Sequence, residues 1–372
     1  MKIVSVVGAR PNFIKIAPLM REMRTVLGVS PTLVHTGQHY DVAMAGQFFR
    51  DLEIPAPDVS LDVGSGSHAH QTAEVMRRLE PILEQVRPDL VLVVGDVNST
   101  LAAALTAAKL RIAVAHVEAG LRSFDRSMPE EINRLVTDAV SDYLFVSEES
   151  GRDNLRREGK PEDRIFFVGN VMIDSLERFR HAWERSEIRA RLGLESNRYG
   201  VVTLHRPANV DDTTTLRDIM EALAEVAREL PLVFPVHPRT RKRLVDANCA
   251  AAIRELGGGR VGDKGVHCLD PLGYLDFMAL VSGARVVLTD SGGLQEETTA
   301  LGVSCLTLRE NTERPVTVER GTNRLVGTSR ARIIDETCRV IEQPLVAPPR
   351  LPLWDGRAAE RIVAILREQL SC

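Results

Sequence analysis

The sequence predicts an α/β protein built from two successive doubly wound parallel sheets. Three features of its 372 residues lead there. Short apolar runs recur without polar–apolar alternation, as expected of strands covered on both faces and therefore parallel. Between them lie amphipathic stretches of helical length, such as "TAEVMRRLEPILEQVR" and "TTTLRDIMEALAEVAREL", and regular β–α alternation implies a doubly wound fold. Finally, the pattern restarts. One series ends near "VGNVMID", a charged helical stretch "RFRHAWERSEIRARLGLESNR" follows, and a second series opens at "YGVVTLH". Two Rossmann-like domains are therefore expected, 1–169 and 170–355.

In the first half the expected strands are "KIVSVVG", "TLVHTG", "DLVLVVGD", "IAVAHVE", "YLFVS" and "IFFVGN". In the second they are "YGVVTLH", "LVFPVH", "ARVVLTD" and "VSCLTL". The final helix, 356–372, fits against either half. A formal charge of −4 implies no general attraction to nucleic acid. No stretch approaches the roughly 20 apolar residues that span a bilayer. The opening "MKIVSVVGAR" has the look of a buried first strand and not of a signal peptide. Five scattered cysteines without a CxxC are expected to be free thiols in a reducing cytoplasm.

In an open parallel sheet, ligands bind beyond the carboxyl ends of the strands. Charged and polar residues crowd those positions here: Arg10 and Lys15 after the first strand, Asp96 in "GDVNST", and His116 and Glu118 in "HVEAGLR". In the second half come His205 and Arg206, then His237, then "DSGGLQEET". Ser291 or Asp290 fits a helix cap there. The paired Gly292 and Gly293 would also let bare amides meet an anion where the helix dipole favours it. His116 and Glu118 share one strand face. His116 suits a core position, whereas a carboxylate ending a buried strand is costly unless paired or used. Ser127 and Glu130 fit a capping box, with Glu130 and Arg134 four residues apart. No Walker motif or DxD occurs, the "GGGRVG" at 257–262 follows none of the expected strands, and "SHAH" at 67–70 lacks a third ligand for zinc, so no metal and no dinucleotide is expected.

The ordered set "GARPNFIKIAP", "TGQHYD", "GDVNST", "HVEAGLRS", "PEEINR", "TLHRPANVD", "PVHP", "PLGYLDFM", "DSGGLQEE" and "TERP" resembles the non-hydrolysing UDP-N-acetylglucosamine 2-epimerases along nearly the whole chain. The resemblance implies a glycosyltransferase-B-type fold: two Rossmann-like domains facing a deep cleft, the C-terminal helix returning to the N-terminal domain. It implies reversible conversion of UDP-GlcNAc to UDP-ManNAc without cofactor or metal, by a cytoplasmic homodimer that touches neither membrane nor nucleic acid. Carried over by motif, Asp96, Glu118 and Glu130 are the acid–base candidates, ordered by Arg134, with His205 at the leaving phosphate. Arg10, Lys15, His237, Ser291, Gly292, Gly293 and Arg314 would hold the diphosphate, and Glu297 the ribose. Phe277 would stack on uracil, though its apolar surroundings also suit a core aromatic.

Some positions depart from the family pattern. Asn12 and Ala208 stand where glutamates are usual, and Val316 follows "TERP", which suits a modified sugar such as an N-acetylated uronic acid. A hydrolysing relative and a glycosyltransferase of the same fold are the further alternatives. Gln38, His39 and His70 match part of a regulatory site. Asp41 replaces a glutamine there and His70 an arginine, so activation by substrate at a second site is expected to be weak or absent.

Overall fold

The computed structural model describes residues 1–37, 50–249, 252–256, 259–345 and 347–370. The chain forms two compact units, Met1–Arg178 with Leu351–Cys372, and Phe179–Arg350.

The first unit contains β1 (Lys2–Val7), β2 (Ser30–His35), β3 (Val59–Ser60), β4 (Leu90–Val94), β5 (Ala113–Val117), β6 (Tyr143–Val146) and β7 (Ile165–Phe167). They lie in the order β3-β2-β1-β4-β5-β6-β7, with every neighbouring pair parallel. The second unit repeats the plan with β8 (Gly200–Thr203), β9 (Leu232–Pro235), β10 (Ile253–Glu255), β11 (Val266–Leu269), β12 (Val286–Thr289), β13 (Ser304–Thr307) and β14 (Asn323–Leu325). Their order is β10-β11-β9-β8-β12-β13-β14, again all parallel.

The apolar runs form strands because both faces are covered. All five residues of β4, "LVLVV", are buried, and on one face Val91 and Val93 pack with Leu79, Leu83, Ala103 and Ala107 from the neighbouring helices. In the second unit Val202, Phe234, Leu288 and Leu306 pack with Leu216, Leu223 and Ile333. Four strands lie outside the runs read from the sequence: β3, β10, β11 and β14.

In each sheet the winding direction reverses once, between β1 and β4 in the first and between β8 and β12 in the second. A crevice opens at such a switch point, outside the carboxyl ends of the strands. The helix Val171–Arg178 stays with the first unit. Ser175 Oγ donates to Ile14 O at 2.6 Å, and Asp174 accepts the amides of Ala358 and Ala359 at 3.0 and 2.7 Å, tying in the last helix, Ala358–Leu370.

Candidate active site

At the first switch point the turn after β1 is sewn to the end of β4. Asn12 Oδ1 accepts the amides of Gly8 and Ala9 at 3.3 and 3.1 Å, and its Nδ2 donates to Val94 O at 2.8 Å. Asn12 is buried, and these backbone bonds account for the amide side chain without any substrate. Arg10 opens the helix Arg10–Thr25. Lys15, one turn further along, forms a buried ion pair with Glu118. Gly95 lies against that pair. A Cβ there would sit 2.9 Å from Lys15 Nζ and 3.4 Å from Glu118 Oε2, and its φ of +68° suits glycine. Glu118 itself has φ +79°, a strained conformation for a side chain of this kind.

His116 is a satisfied core histidine. Its Nε2 lies 2.8 Å from Gly95 O and its Nδ1 lies 2.6 Å from Asp138 Oδ1. Asp138 Oδ2 receives Arg122 at 2.7 Å and the Gly120 amide at 3.0 Å. Burial would raise the Asp138 carboxyl, but His116 and Arg122 outweigh it and hold it below the usual range. This network fixes the position of Gly95, and with it the turn that carries Asp96.

Asp96 Oδ2 accepts from Arg134 Nε and Nη2 at 3.1 and 2.8 Å. Arg134 Nη1 donates to Glu131 Oε2 at 2.6 Å. Glu130 is half-buried in the first turn of the helix Pro129–Val140. The capping box expected from Ser127 is not formed. The cap is Met128, without a side-chain bond, because Ser127 Oγ turns to Asp125 Oδ1 at 2.6 Å. Gln38 and His39 lie outside the described residues. His70 is exposed in the first turn of the helix His68–Val86, its amide on Ser67 Oγ.

At the second switch point the organising group is Asp290. It is buried and accepts the amides of His205 at 3.0 Å and Arg206 at 2.9 Å. His205 Nδ1 lies 2.9 Å from Asp290 Oδ1. Burial would raise this carboxyl, yet the His205 ring and the backbone amides hold it below the usual range. An ionised carboxylate accepts only, so Nδ1 carries the proton and Nε2 is turned away from Asp290. The ring is 55 % exposed, so Nε2 is available for proton transfer.

Ser291 caps the helix Gly292–Leu301 by position, but its side chain makes no cap bond to the first-turn amides. A Cβ on Gly292 would lie 2.5 Å from Arg314 Nη1 and 2.6 Å from Glu313 Oε1, so glycine lets a guanidinium reach the helix tip. Gly293 follows in the same turn. Arg314 is buried, with Glu296 Oε2 at 2.8 Å and Glu313 on Nη1. Glu297 is buried against the Tyr274 hydroxyl at 3.2 Å. Phe277 is half-buried and outside the core. His237 is exposed and caps the helix Pro238–Asp246 through Nδ1 and the Arg239 amide, at 3.3 Å. Among the described residues no cluster of three or more His, Cys, Asp or Glu could hold a metal ion.

Glu131, Asp138 and Glu313 were not singled out from the sequence, and Asp290 was read there only as fitting a helix cap. Only Glu131 left a local signal, its i,i+3 spacing to Arg134.

Comparison with known proteins gives one consistent result. The chain is 42 % identical over 373 residues to the UDP-N-acetylglucosamine 2-epimerase of Methanocaldococcus jannaschii, with 98 % of this chain and 99 % of the relative covered. It is 40 % identical to the UDP-2,3-diacetamido-2,3-dideoxy-D-glucuronate 2-epimerase of Pseudomonas aeruginosa, with 98 % and 99 % covered. The crystal structure of the M. jannaschii UDP-GlcNAc 2-epimerase in complex with UDP-GlcNAc and UDP superposes with a TM-score of 0.91, at 41 % identity, covering 99 % of this chain and 100 % of that one. With residues 21–367 matching its sequence profile as well, the chain belongs to the UDP-N-acetylglucosamine 2-epimerase family.

Proposed function

We propose that the protein is a non-hydrolysing epimerase that interconverts UDP-GlcNAc and UDP-ManNAc through elimination and re-addition of UDP. One observation carries this reading: Asp96 and Glu118 follow the adjacent strands β4 and β5, beside the first switch point, each against a cation. The proton on carbon 2 of the sugar has no adjacent carbonyl to acidify it. Breaking the bond between carbon 1 and the UDP oxygen first gives carbon 1 cationic character. A carboxylate then takes the carbon 2 proton, leaving 2-acetamidoglucal and UDP. Protonation of carbon 2 on its other face and return of the UDP oxygen to carbon 1 complete the inversion.

In this scheme Asp96, Glu118 and Glu130 exchange the protons and balance positive charge at carbon 1. Arg134 sets the direction of Asp96. Lys15 is engaged by Glu118, so its role is to fix that carboxylate and neutralise it, and not to bind phosphate. His205, oriented by Asp290, gives the departing UDP oxygen a proton or a hydrogen bond. The helix tip at Ser291, Gly292 and Gly293, with Arg314 beside it, takes the diphosphate. Arg10 and His237 complete the phosphate contacts, Glu297 binds the ribose, and Phe277 stacks on uracil.

The test is incubation with UDP-GlcNAc in deuterated water, followed by NMR. Deuterium at carbon 2 and formation of UDP-ManNAc are expected. Stoichiometric UDP with free ManNAc would instead identify a hydrolysing enzyme. The P. aeruginosa relative favours a second reading, a diacetamido uronic acid as the sugar. A kcat/KM higher for that UDP-sugar than for UDP-GlcNAc would establish it. The homodimer is likewise a proposal, to be read by sedimentation velocity.

A further inference from the structure

Phe124 breaks two rules at once. Its φ is +59°, a region that bulky side chains avoid, and the residue is 72 % exposed. A turn that only needed this backbone shape would be served at less cost by glycine or asparagine. Nor is the segment loosely held. Glu131 Oε1 accepts the Phe124 amide at 3.0 Å, and Oε2 accepts the Ser123 amide and hydroxyl at 2.9 and 3.0 Å. The Asp125 amide donates to Ser123 Oγ at 3.3 Å, and the Met128 amide to Asp125 O at 3.1 Å. The backbone is fastened on both sides of Phe124 while its ring is turned outward. Strain that persists because its surroundings over-determine it marks functional sites.

The location says which function. The segment follows Glu118 at the carboxyl end of β5. The carboxylate that latches it, Glu131, shares Arg134 with Asp96. Phe124 is therefore linked to an acid–base candidate through one carboxylate and one guanidinium. We infer that Phe124 is a substrate-contacting residue whose ring packs on the C–H face of the sugar, and that Glu131 is the positioning residue that presents it. The inference rests on the epimerase reading above.

The experiment compares the full-length wild type with Phe124→Gly and Phe124→Tyr. Glycine accepts the left-handed backbone, so folding is not at risk and the melting temperature should hold or rise. For Phe124→Gly, KM for UDP-GlcNAc should rise about 10-fold, the value of one buried aromatic contact. UDP, which lacks the sugar, should inhibit both proteins equally. Phe124→Tyr, which keeps the ring, should restore KM. An unchanged KM in Phe124→Gly overturns the inference, as does a UDP inhibition constant that rises in step with KM. A shift of the variant to a smaller species in sedimentation also overturns it, by making Phe124 an interface residue between copies. A wild type that leaves UDP-GlcNAc unchanged would sink the epimerase reading itself, whereas an active wild type with an unaltered Phe124→Gly removes only the assignment of Phe124.

Discussion

Glu297 shows what burial does to a single carboxyl here. With Tyr274 against one oxygen, its carboxyl is pushed from 4.5 to about 8, by burial first and by the neighbouring Glu296 as well. Because the folded value is the higher one, the folded chain holds a proton between pH 4.5 and about 8 that the unfolded chain has released. The stability this group contributes is complete below pH 4.5 and is lost as pH rises through 8. Glu297→Gln keeps the shape and cannot ionise. It should melt with the wild type at pH 5 and above it at pH 8.5, by on the order of 4 kcal/mol. Equal losses at both pH values would mean that the glutamine fails for packing reasons. At this scale the acids that end strands were legible, since Asp96 and Glu118 stand out wherever a buried strand stops. The groups that hold them were not. Asp290 reaches His205 across 85 residues of chain, a pairing that no local spacing records.

Elements were legible in proportion to their burial. The ten apolar runs became strands because helices cover both of their faces. The other four carry weaker patterns. β3 has two residues, and "IRE" and "NRL" in β10 and β14 are edge strands with charged side chains. β11, "VHCL", is fully buried but reads as broken at His267, although Cys268 packs as a small apolar group. The last helix was ambiguous for another reason: what attaches it is Asp174, which accepts both first-turn amides from 184 and 185 residues away. Burial pushes the Asp174 carboxyl up to about 6, so its charge is unwelcome while its acceptor oxygens are needed. Asp174→Asn, which keeps one acceptor without the charge, should therefore be nearly neutral at pH 7. Asp174→Ala should cost about 1 kcal/mol in denaturant unfolding, with faster hydrogen exchange confined to residues 358–370. A large loss for asparagine would show that the charge itself holds the helix.

The two units differ in how the chain builds them. Phe179–Arg350 is continuous and has its own core, whereas the first unit is closed by a segment that arrives only after the second is complete. That segment is tightly fitted. Trp354 Nε1 donates to Ser147 O at 3.0 Å, and Arg361 Nη1 to Val168 O at 3.1 Å. A Cβ on Gly169 would lie 2.0 Å from Leu353 O. The helix Ala358–Leu370 buries Ala358, Ala359, Ile362, Val363 and Leu366. Its three branched side chains alone are worth about 1.5–3 kcal/mol each, a sum comparable with the whole stability of a typical domain, about 5–15 kcal/mol. A chain ending at Arg350 should therefore lose the cooperative unfolding of the first unit and keep that of the second. In calorimetry one transition should vanish and the other remain, still raised by UDP because the helix Gly292–Leu301, proposed above to take the diphosphate, is intact. Epimerisation should be lost, since Asp96, Glu118 and Glu130 all belong to the unit that no longer closes. If both transitions survived the truncation, the first unit would be stable without its returning helix, and its division between the two ends of the chain would be a matter of connectivity alone.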